Sequence, residues 1–267
     1  FRRSFPGSNW FAPLFKRWIK WCYQMGDVII TPTDYSRSLL LEYGIQKPIY
    51  SLTNGVDTEF FAPSEARRKA FRKRYGLSER DQVVISAGHT IERKGILDYI
   101  ALARQMPQVR FFWFGYTPAY LVPKVVRRAM AEAPGNLSFA GYISQEELRD
   151  AYCGADVFAF LSLEETEGIV VLEALSCGIP TVLRDIPVYQ GWLPEGVGIW
   201  KARDAAGFRQ AVGEALTCPL HDRDKAGRSI ALSRRLESVG QGLAAIYQKE
   251  FLVSQNENND QSREVIS

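Results

Sequence analysis

Apolar residues occur along most of this chain in short continuous runs, and the segments between the runs have helical periodicity. From Gln82 onward, six such runs alternate with amphipathic segments. Short apolar runs separated by helices predict a parallel sheet that is covered on both faces. The predicted strands are 83–87, 109–114, 137–140, 157–161, 180–183 and 197–200, and the predicted helices are 95–105, 118–133, 145–153, 168–177 and 204–216. The pattern therefore predicts an α/β fold with a doubly wound, Rossmann-like sheet.

The first 26 residues have a different pattern, with five basic residues and no acidic residue before Asp27. At 100° per residue, an apolar stripe lies opposite Lys16, Arg17 and Lys20. The stripe consists of Phe11, Leu14, Phe15, Trp18, Cys22 and Met25. Two interpretations stay open, since the stripe either packs on a neighbouring sheet or lies against an anionic membrane. The basic face would remain exposed in both, so Lys16, Arg17 and Lys20, together with Trp18 of the stripe, are the predicted membrane contacts.

Composition and charge exclude several classes of protein. The chain has 267 residues, of which 46% are apolar and 24% charged, as in an ordinary globular protein. No apolar run approaches the roughly 18 residues of a membrane-spanning helix, and from its first residues we expect no secretory signal peptide. The net charge of +3 is too small to predict a nucleic-acid partner.

Cysteine and histidine are too few and too scattered to predict a metal centre. The four cysteines form no CxxC pair, and only two histidines are present. Unpaired thiols are typical of a reducing cytoplasm. Asp222-Arg223-Asp224 has the D-x-D form of a metal-binding motif, but no predicted strand precedes it, so a helix cap in a charged loop is expected.

The most informative segment runs from Leu163 to Pro180. It leaves the carboxyl end of a predicted strand, where α/β proteins bind ligands, and it begins a helix at Gly168. The free N–H groups of Gly168, Ile169 and Val170 would favour an anion such as a diphosphate. Glu165 and Glu173 flank this point and could accept hydrogen bonds from sugar hydroxyls. Acidic residues near a helix start are also explained by the helix dipole alone.

The same segment resembles the E-x7-E signature of the retaining GT-B glycosyltransferases of family 4. Seven residues separate Glu165 from Glu173, and Ala-Leu-Ser-Cys-Gly-Ile-Pro follows. Further landmarks of that family occur in the same order within residues 27–200. They are Asp27-Val-Ile-Ile-Thr-Pro-Thr-Asp-Tyr-Ser, Asn54-Gly-Val-Asp, Asn136-Leu-Ser-Phe-Ala-Gly-Tyr and Ala155-Asp-Val-Phe-Ala-Phe. The segment Glu-Glu-Thr-Glu-Gly-Ile-Val-Val-Leu-Glu is similar in sequence to the corresponding segment of bacterial transferases that glucosylate 1,2-diacylglycerol.

The resemblance implies a GT-B fold whose C-terminal Rossmann-like domain binds a nucleotide sugar without a metal or other cofactor. It implies that Glu173 accepts hydrogen bonds from the ribose and that Glu165 contacts the donor sugar ring. It also implies that the backbone near Tyr142 and Ile143 meets the base. The reaction would retain the configuration of the anomeric carbon.

Gly88-His-Thr-Ile-Glu-Arg-Lys-Gly95 follows the first strand of this domain and resembles the GR…KG loop of the family. Lys94 matches the lysine, whereas His89 stands where the family has arginine. Arg93 could supply the missing cation, or His89 could donate a hydrogen bond. Cations placed at a leaving diphosphate contribute roughly 3 kcal/mol each, so Lys94 and Arg93 are predicted catalytic residues. Glu165, the predicted contact of the donor sugar ring, is the third. A solvated pair of cations at a helix start is the alternative, although the helix dipole disfavours it.

The resemblance also divides the chain into five parts. Residues 1–54 are the expected last part of an N-terminal, acceptor-side Rossmann-like domain, and 55–63 form the linker. Residues 64–225 form the donor-binding domain, 226–250 a C-terminal helix and 251–267 a disordered tail. Because the chain starts with Phe1 and little of the first domain precedes the linker, we expect it to be an N-terminally truncated piece of a longer protein.

The expected function is transfer of a hexose, with glucose favoured, from a UDP-sugar to a membrane lipid such as 1,2-diacylglycerol. The expected location is the inner face of the cell membrane, as a peripheral cytoplasmic protein. Two alternatives stay open. The acceptor could be a polysaccharide or a polyprenol lipid, or this chain could bind the donor and transfer nothing.

Overall fold

A computed structural model describes residues 8–196, 198–217 and 226–264, with 8–9, 226 and 253–264 as backbone only. The D-x-D sequence at 222–224 lies outside the described residues. The strands are β1 (Ile29–Thr31), β2 (Ile49–Ser51), β3 (Val83–Ala87), β4 (Arg110–Phe114), β5 (Leu137–Gly141), β6 (Val157–Phe160), β7 (Thr181–Arg184) and β8 (Ile199–Ala202). The helices are α1 (Ser8–Gln24), α2 (Asp34–Glu42), α3 (Glu65–Arg74), α4 (Ile96–Gln105), α5 (Lys124–Ala131), α6 (Gln145–Gly154), α7 (Ile169–Ser176), α8 (Ala205–Thr217), α9 (Ala226–Ser233) and α10 (Leu236–Glu264). Two short 3₁₀ turns, Glu92–Lys94 and Pro187–Tyr189, add to these.

Six of the strands form one parallel sheet in the order β5-β4-β3-β6-β7-β8. After β3 the chain builds outward through β4 and β5, then returns to the other side of β3 for β6. The boundary between β3 and β6 is therefore a topological switch point, where open α/β sheets bind ligands at their carboxyl edge. The predicted α/β fold with a parallel Rossmann-like sheet is confirmed.

Alternating residues of the sheet fill two separate cores. Ile85, Phe112 and Phe158 belong to the core on one face, which α3, α6, α7 and α9 cover. Val84, Phe111 and Val157 belong to the core on the other face, under α4, α5 and α8. Because both faces are buried, the central strands β3, β4 and β6 are nearly continuous apolar runs in the sequence.

The smaller sheet pairs β1 with β2 in parallel, and α2 connects them. The side chain of Thr33 caps the first turn of α2 by accepting a hydrogen bond from the backbone N–H of Ser36. A small core of Ile29, Leu40, Ile45 and Ile49 holds this strand–helix–strand unit together.

Two helices differ from the prediction. The helix expected over 118–133 is confined to Lys124–Ala131, because Pro118 and Pro123 keep the preceding segment in an irregular loop. The helix expected over 226–250 is two helices, α9 and α10. Arg234 lies between them, and its carbonyl accepts a hydrogen bond from the backbone N–H of Val56 in the predicted linker.

The tail expected to be disordered from residue 251 is helical as far as Glu264, and 265–267 lie outside the described residues. The sequence from Phe251 to Glu264 contains no glycine or proline that would end a helix. The limits of the predicted domains otherwise stay predictions.

Helix α1 exposes part of both faces: Lys16 and Arg17 are exposed, as are most residues of its aromatic stripe, and Lys20 is half-buried. Lys16 Nζ lies 4.3 Å from the ring centroid of Tyr43, and Lys20 Nζ lies beside Gly44. Both cations therefore sit at the carboxyl end of α2, where the helix dipole favours positive charge. The exposed apolar residues of α1 are Trp10, Phe11, Leu14, Trp18 and Trp21. No helix among the described residues is long and apolar enough to span a bilayer.

Candidate functional site

The loops that follow β3 and β6 meet at the switch point and bring Lys94 and Glu165 into direct contact. Lys94 Nζ donates a hydrogen bond of 2.6 Å to Glu165 Oε1. The Ser162 hydroxyl donates to the same oxygen at 2.6 Å, and Arg93 Nη1 lies 4.0 Å from it. The lysine and the carboxylate are both largely shielded from water. The two predicted catalytic loops therefore form one charged cluster.

Backbone contacts hold these loops together. The carbonyl of Arg93 accepts a hydrogen bond from the Leu163 backbone N–H at 2.8 Å, and Ser162 Oγ lies 3.0 Å from the same carbonyl oxygen. Gly95 makes the close approach possible, because a Cβ at this position would lie 2.0 Å from the Leu161 carbonyl oxygen. Gly95 also has a φ of 76°, which side-chain-bearing residues rarely adopt. The lysine–glycine pair therefore places the ammonium group beside Glu165.

Helix α7 starts at the same point, with its first backbone N–H groups at the carboxyl edge of the sheet. Its N-cap, Gly168, has a φ of 89°, and a Cβ there would lie 3.0 Å from Tyr189 Oη. The Tyr189 hydroxyl is buried and has no hydrogen-bond partner among the described residues. Burial raises the pKa of Tyr189 well above its usual value, and the charge of Glu165 adds to the effect. The helix start thus has an unused donor beside it.

Glu173 lies further along α7 and is buried. Its Oε2 accepts a hydrogen bond of 3.0 Å from the Tyr152 hydroxyl on α6. Burial raises the pKa of Glu173, and the hydrogen bond from Tyr152 partly opposes that rise. Tyr152 thus orients the carboxylate, a role that the sequence analysis missed because the contact joins two helices.

The other predicted ligand contacts lie around this cluster. His89 is exposed, and its Nδ1 lies 3.0 Å from the Tyr116 carbonyl. A carbonyl only accepts, so Nδ1 carries the hydrogen in this contact. Tyr142 is 82% exposed at the end of β5, whereas Ile143 packs against the core. Ile169 and Val170 form the first turn of α7, with Ile169 exposed and Val170 half-buried. The predicted membrane contacts lie apart, on α1.

Glu167 is an important site residue that the sequence analysis missed. It is 1% exposed and accepts hydrogen bonds from the Asn54 backbone N–H at 3.0 Å and from Asn54 Nδ2 at 2.7 Å. The Thr53 hydroxyl donates a third bond. The two residues just before the linker are thereby attached to the loop that carries Glu165. The sequence analysis had singled out both the segment that contains Glu167 and the Asn54-Gly turn. An additional acidic residue in the first was the available signal for this contact.

The N-terminal unit holds the same loop from another side. The hydroxyls of Thr33 and Ser36 donate to the Thr166 carbonyl at 2.8 and 3.1 Å. The loop is therefore fixed both by the start of α2 and by Thr53 and Asn54, just before the linker. Among the described residues, no three His, Cys, Asp or Glu side chains come close enough together to hold a metal ion.

The sheet order defines a Rossmann-like protein with a charged cluster at its switch point. Residues 67–230 match the family described as glycosyl transferases group 1, and residues 1–60 match glycosyltransferase family 4. This chain therefore belongs to the group 1 glycosyltransferases, and the predicted family is confirmed.

Relatives from three bacteria cover different parts of the chain. The chain is 38% identical to the processive diacylglycerol alpha-glucosyltransferase of Acholeplasma laidlawii, over 93% of this chain and 75% of that protein. It is 39% identical to the alpha-galactosylglucosyldiacylglycerol synthase of Streptococcus pneumoniae, over 43% of this chain and 32% of that protein. For a GDP-mannose-dependent phosphatidylinositol monomannoside mannosyltransferase of Mycolicibacterium smegmatis, the identity is 31% over 72% and 54% of the two chains. The chain thus spans three quarters of the first relative and about half or less of the others.

Solved structures share the fold at low sequence identity. Anabaena Alr3699/HepE, in complex with UDP and glucose, superimposes with a TM-score of 0.79 at 17% identity, over 90% of this chain and 68% of that one. Sucrose-phosphate synthase from Thermosynechococcus elongatus gives a TM-score of 0.80 at 20% identity, over 90% and 62%. These similarities confirm the predicted GT-B type of fold.

Proposed function

We propose that this protein transfers glucose from UDP-glucose to a diacylglycerol lipid, with retention at the anomeric carbon and without a metal ion. The observation that carries the proposal is the Lys94–Glu165 contact at the start of α7. Support also comes from the Acholeplasma laidlawii relative, whose name specifies a diacylglycerol alpha-glucosyltransferase. Alr3699/HepE, which shares the fold, binds UDP and glucose.

In this proposal the switch-point crevice holds the donor along α7. Glu173, oriented by Tyr152, accepts hydrogen bonds from the ribose hydroxyls. The N–H groups of Gly168, Ile169 and Val170 face the diphosphate, as helix starts favour anions. The exposed ring of Tyr142 stands beside the base, next to the Ile143 backbone.

The main requirement of the reaction is to stabilise the charge that develops on the leaving group. As the bond from the anomeric carbon to the diphosphate breaks, negative charge grows on the phosphate oxygens, and fixed cations stabilise it. Lys94 supplies one cation, and Arg93, which donates to the Glu164 carbonyl at 2.9 Å, supplies a second. Glu165 keeps Lys94 in position and accepts a hydrogen bond from the sugar ring. His89 donates through its remaining nitrogen when protonated.

We also propose that α1 lies at the membrane surface, on the inner face of the cell membrane. Trp18 and its exposed apolar neighbours would enter the interface, with Arg17 beside them. Lys16 is exposed over the ring of Tyr43, whereas Lys20 is half-buried beside Gly44 and would contribute less. This placement would bring the crevice close to a lipid acceptor.

Product analysis tests the proposed reaction. The chain is incubated with dioleoylglycerol micelles and UDP-glucose, UDP-galactose or GDP-mannose, with and without EDTA. We expect an alpha-glucosyl lipid from UDP-glucose alone, in equal yield with EDTA. A strict requirement for manganese would contradict the metal-free mechanism. Donor binding by calorimetry without any product would instead favour a chain that binds the donor only.

The Tyr189 hydroxyl provides a prediction in which stability and binding change independently. Tyr189→Phe removes a buried donor that has no partner, so we expect the free energy of unfolding to stay equal or to rise by about 1 kcal/mol. If the hydroxyl donates to the diphosphate, UDP-glucose affinity should fall about fivefold. Thermal unfolding and calorimetry measure the two quantities. Unchanged affinity would show that Tyr189 does not contact the donor.

A further inference from the structure

A second apolar surface is exposed on the donor-binding domain, far along the chain from α1. It is formed by the β4–α5 loop and the first turns of α5, and we call it the loop–α5 patch. Its exposed apolar side chains are Tyr116, Tyr120, Leu121 and Val125. Tyr120 is 83% exposed, so most of its ring contacts no protein atom. Exposed aromatic clusters of this kind mark interaction surfaces.

The charge on this patch has a single sign. Lys124, Arg127 and Arg128 are exposed on α5, and no acidic residue occurs between Phe111 and Ala131. Arg128 is paired with Glu132 at 2.9 Å. In the described part of the chain, Lys124 and Arg127 have no carboxylate within ion-pair distance. Aromatic side chains next to uncompensated cations are complementary to an anionic lipid surface.

The patch borders the crevice. His89 Nδ1 lies 3.0 Å from the Tyr116 carbonyl, and the Thr90 backbone N–H donates to the Thr117 hydroxyl at 3.0 Å. The loop therefore stands at the same carboxyl edge of the sheet as Lys94. The two proline residues that confine α5 to Lys124–Ala131 also hold this loop in place. A surface bound here would lie next to the proposed donor site.

We infer that the loop–α5 patch is a bilayer contact of the donor-binding domain, specific for anionic lipid and separate from α1. The inference rests on the proposed lipid acceptor, and it deepens that proposal by naming the surface that faces the membrane. Tyr120 and Leu121 enter the headgroup region, while Lys124 and Arg127 meet phosphate groups. With contacts on both α1 and this patch, the crevice opens toward the bilayer that contains the acceptor.

Vesicle binding by matched charge variants tests the inference. The patch variant is Lys124→Gln/Arg127→Gln. The control is Lys69→Gln/Lys73→Gln, which removes the same charge from exposed positions of α3. Arg72 of α3 bonds to carbonyls just before β3, so the control lies at the opposite edge of the sheet. We expect the patch variant to bind phosphatidylcholine–phosphatidylglycerol vesicles about tenfold more weakly and the control less than twofold more weakly.

A second variant and a local measurement complete the test. Tyr120→Ala/Leu121→Ala should also weaken vesicle binding about tenfold, including at high salt. Hydrogen exchange of the intact chain should show protection of amides 116–131 by anionic vesicles and little by pure phosphatidylcholine. Equal binding by the patch and control variants, or protection confined to α1, would overturn the inference. Calorimetry with UDP-glucose in the absence of lipid separates the two proposals. If the proposed function holds, Lys124→Gln/Arg127→Gln and Tyr120→Ala/Leu121→Ala should both bind UDP-glucose as tightly as the parent chain.

Discussion

Replacing Lys94 with methionine is expected to lower the rate of glucosyl transfer about 100-fold, equivalent to roughly 3 kcal/mol of lost transition-state stabilisation. UDP-glucose affinity should fall much less, because the lysine charge acts most strongly when the diphosphate is leaving. Methionine has a similar length and no charge, so the loops around Gly95 should keep their conformation. Initial rates with dioleoylglycerol and calorimetry with UDP-glucose measure the two effects.

Two further variants make this result specific. Lys94→Arg keeps a positive charge beside Glu165 and should recover part of the rate. Arg93→Met tests whether the neighbouring cation replaces the arginine that the family has at the position of His89. A transfer rate within about threefold of the parent for Lys94→Met, under ~0.7 kcal/mol, would show that Lys94 does not act on the leaving group.

The large sheet was predictable because its strands are short and buried on both faces. Val83–Ala87 and Val157–Phe160 lie within a residue of the predicted limits, since apolar runs mark such strands directly. The limits of α5 were less predictable because two prolines, and not periodicity, determine its start. The break between α9 and α10 depends on a hydrogen bond from Val56, which no local pattern reveals.

The candidate site was likewise predictable from the sequence in part. Glu165, Glu173 and Lys94 follow strand ends and helix starts, so their loops could be identified from the sequence. Tyr152 lies 21 residues from Glu173, and Asn54 lies 113 residues from Glu167. Such contacts depend on how helices and segments pack, and spacing carries no information about them. For α1, periodicity separated an aromatic face from a basic one, but it did not indicate that Lys16 and Lys20 would lie at the end of α2 while most of the aromatic stripe stays exposed.

Glu167 combines these non-local contacts in one side chain. Its carboxylate is buried against Thr53 and Asn54, and the guanidinium of Arg234 is the nearby counter-charge. Burial lowers the pKa of Arg234, and the charge of Glu167 opposes that shift. The carboxylate thus joins the residues just before the linker to the loop of Glu165.

Glu167→Ala is expected to lower the free energy of unfolding by about 3 kcal/mol, because it removes the three hydrogen bonds that this buried carboxylate accepts from Thr53 and Asn54. Glu164→Ala is the matched control, since Glu164 is an exposed acidic residue of the same loop, and it should change stability by less than about 0.5 kcal/mol. Glu167→Gln keeps one acceptor oxygen, so its stability should lie between those of the two alanine variants.

In Glu167→Ala the loop of Glu165 should also lose its fixed position, so hydrogen exchange at amides 163–168 should increase. Affinity for UDP-glucose should then fall toward that for UDP, because Glu173 and Tyr152 still hold the nucleotide while Glu165 no longer meets the sugar. If the alanine variant bound UDP-glucose and UDP in the parental ratio, Glu167 would stabilise the fold without positioning Glu165.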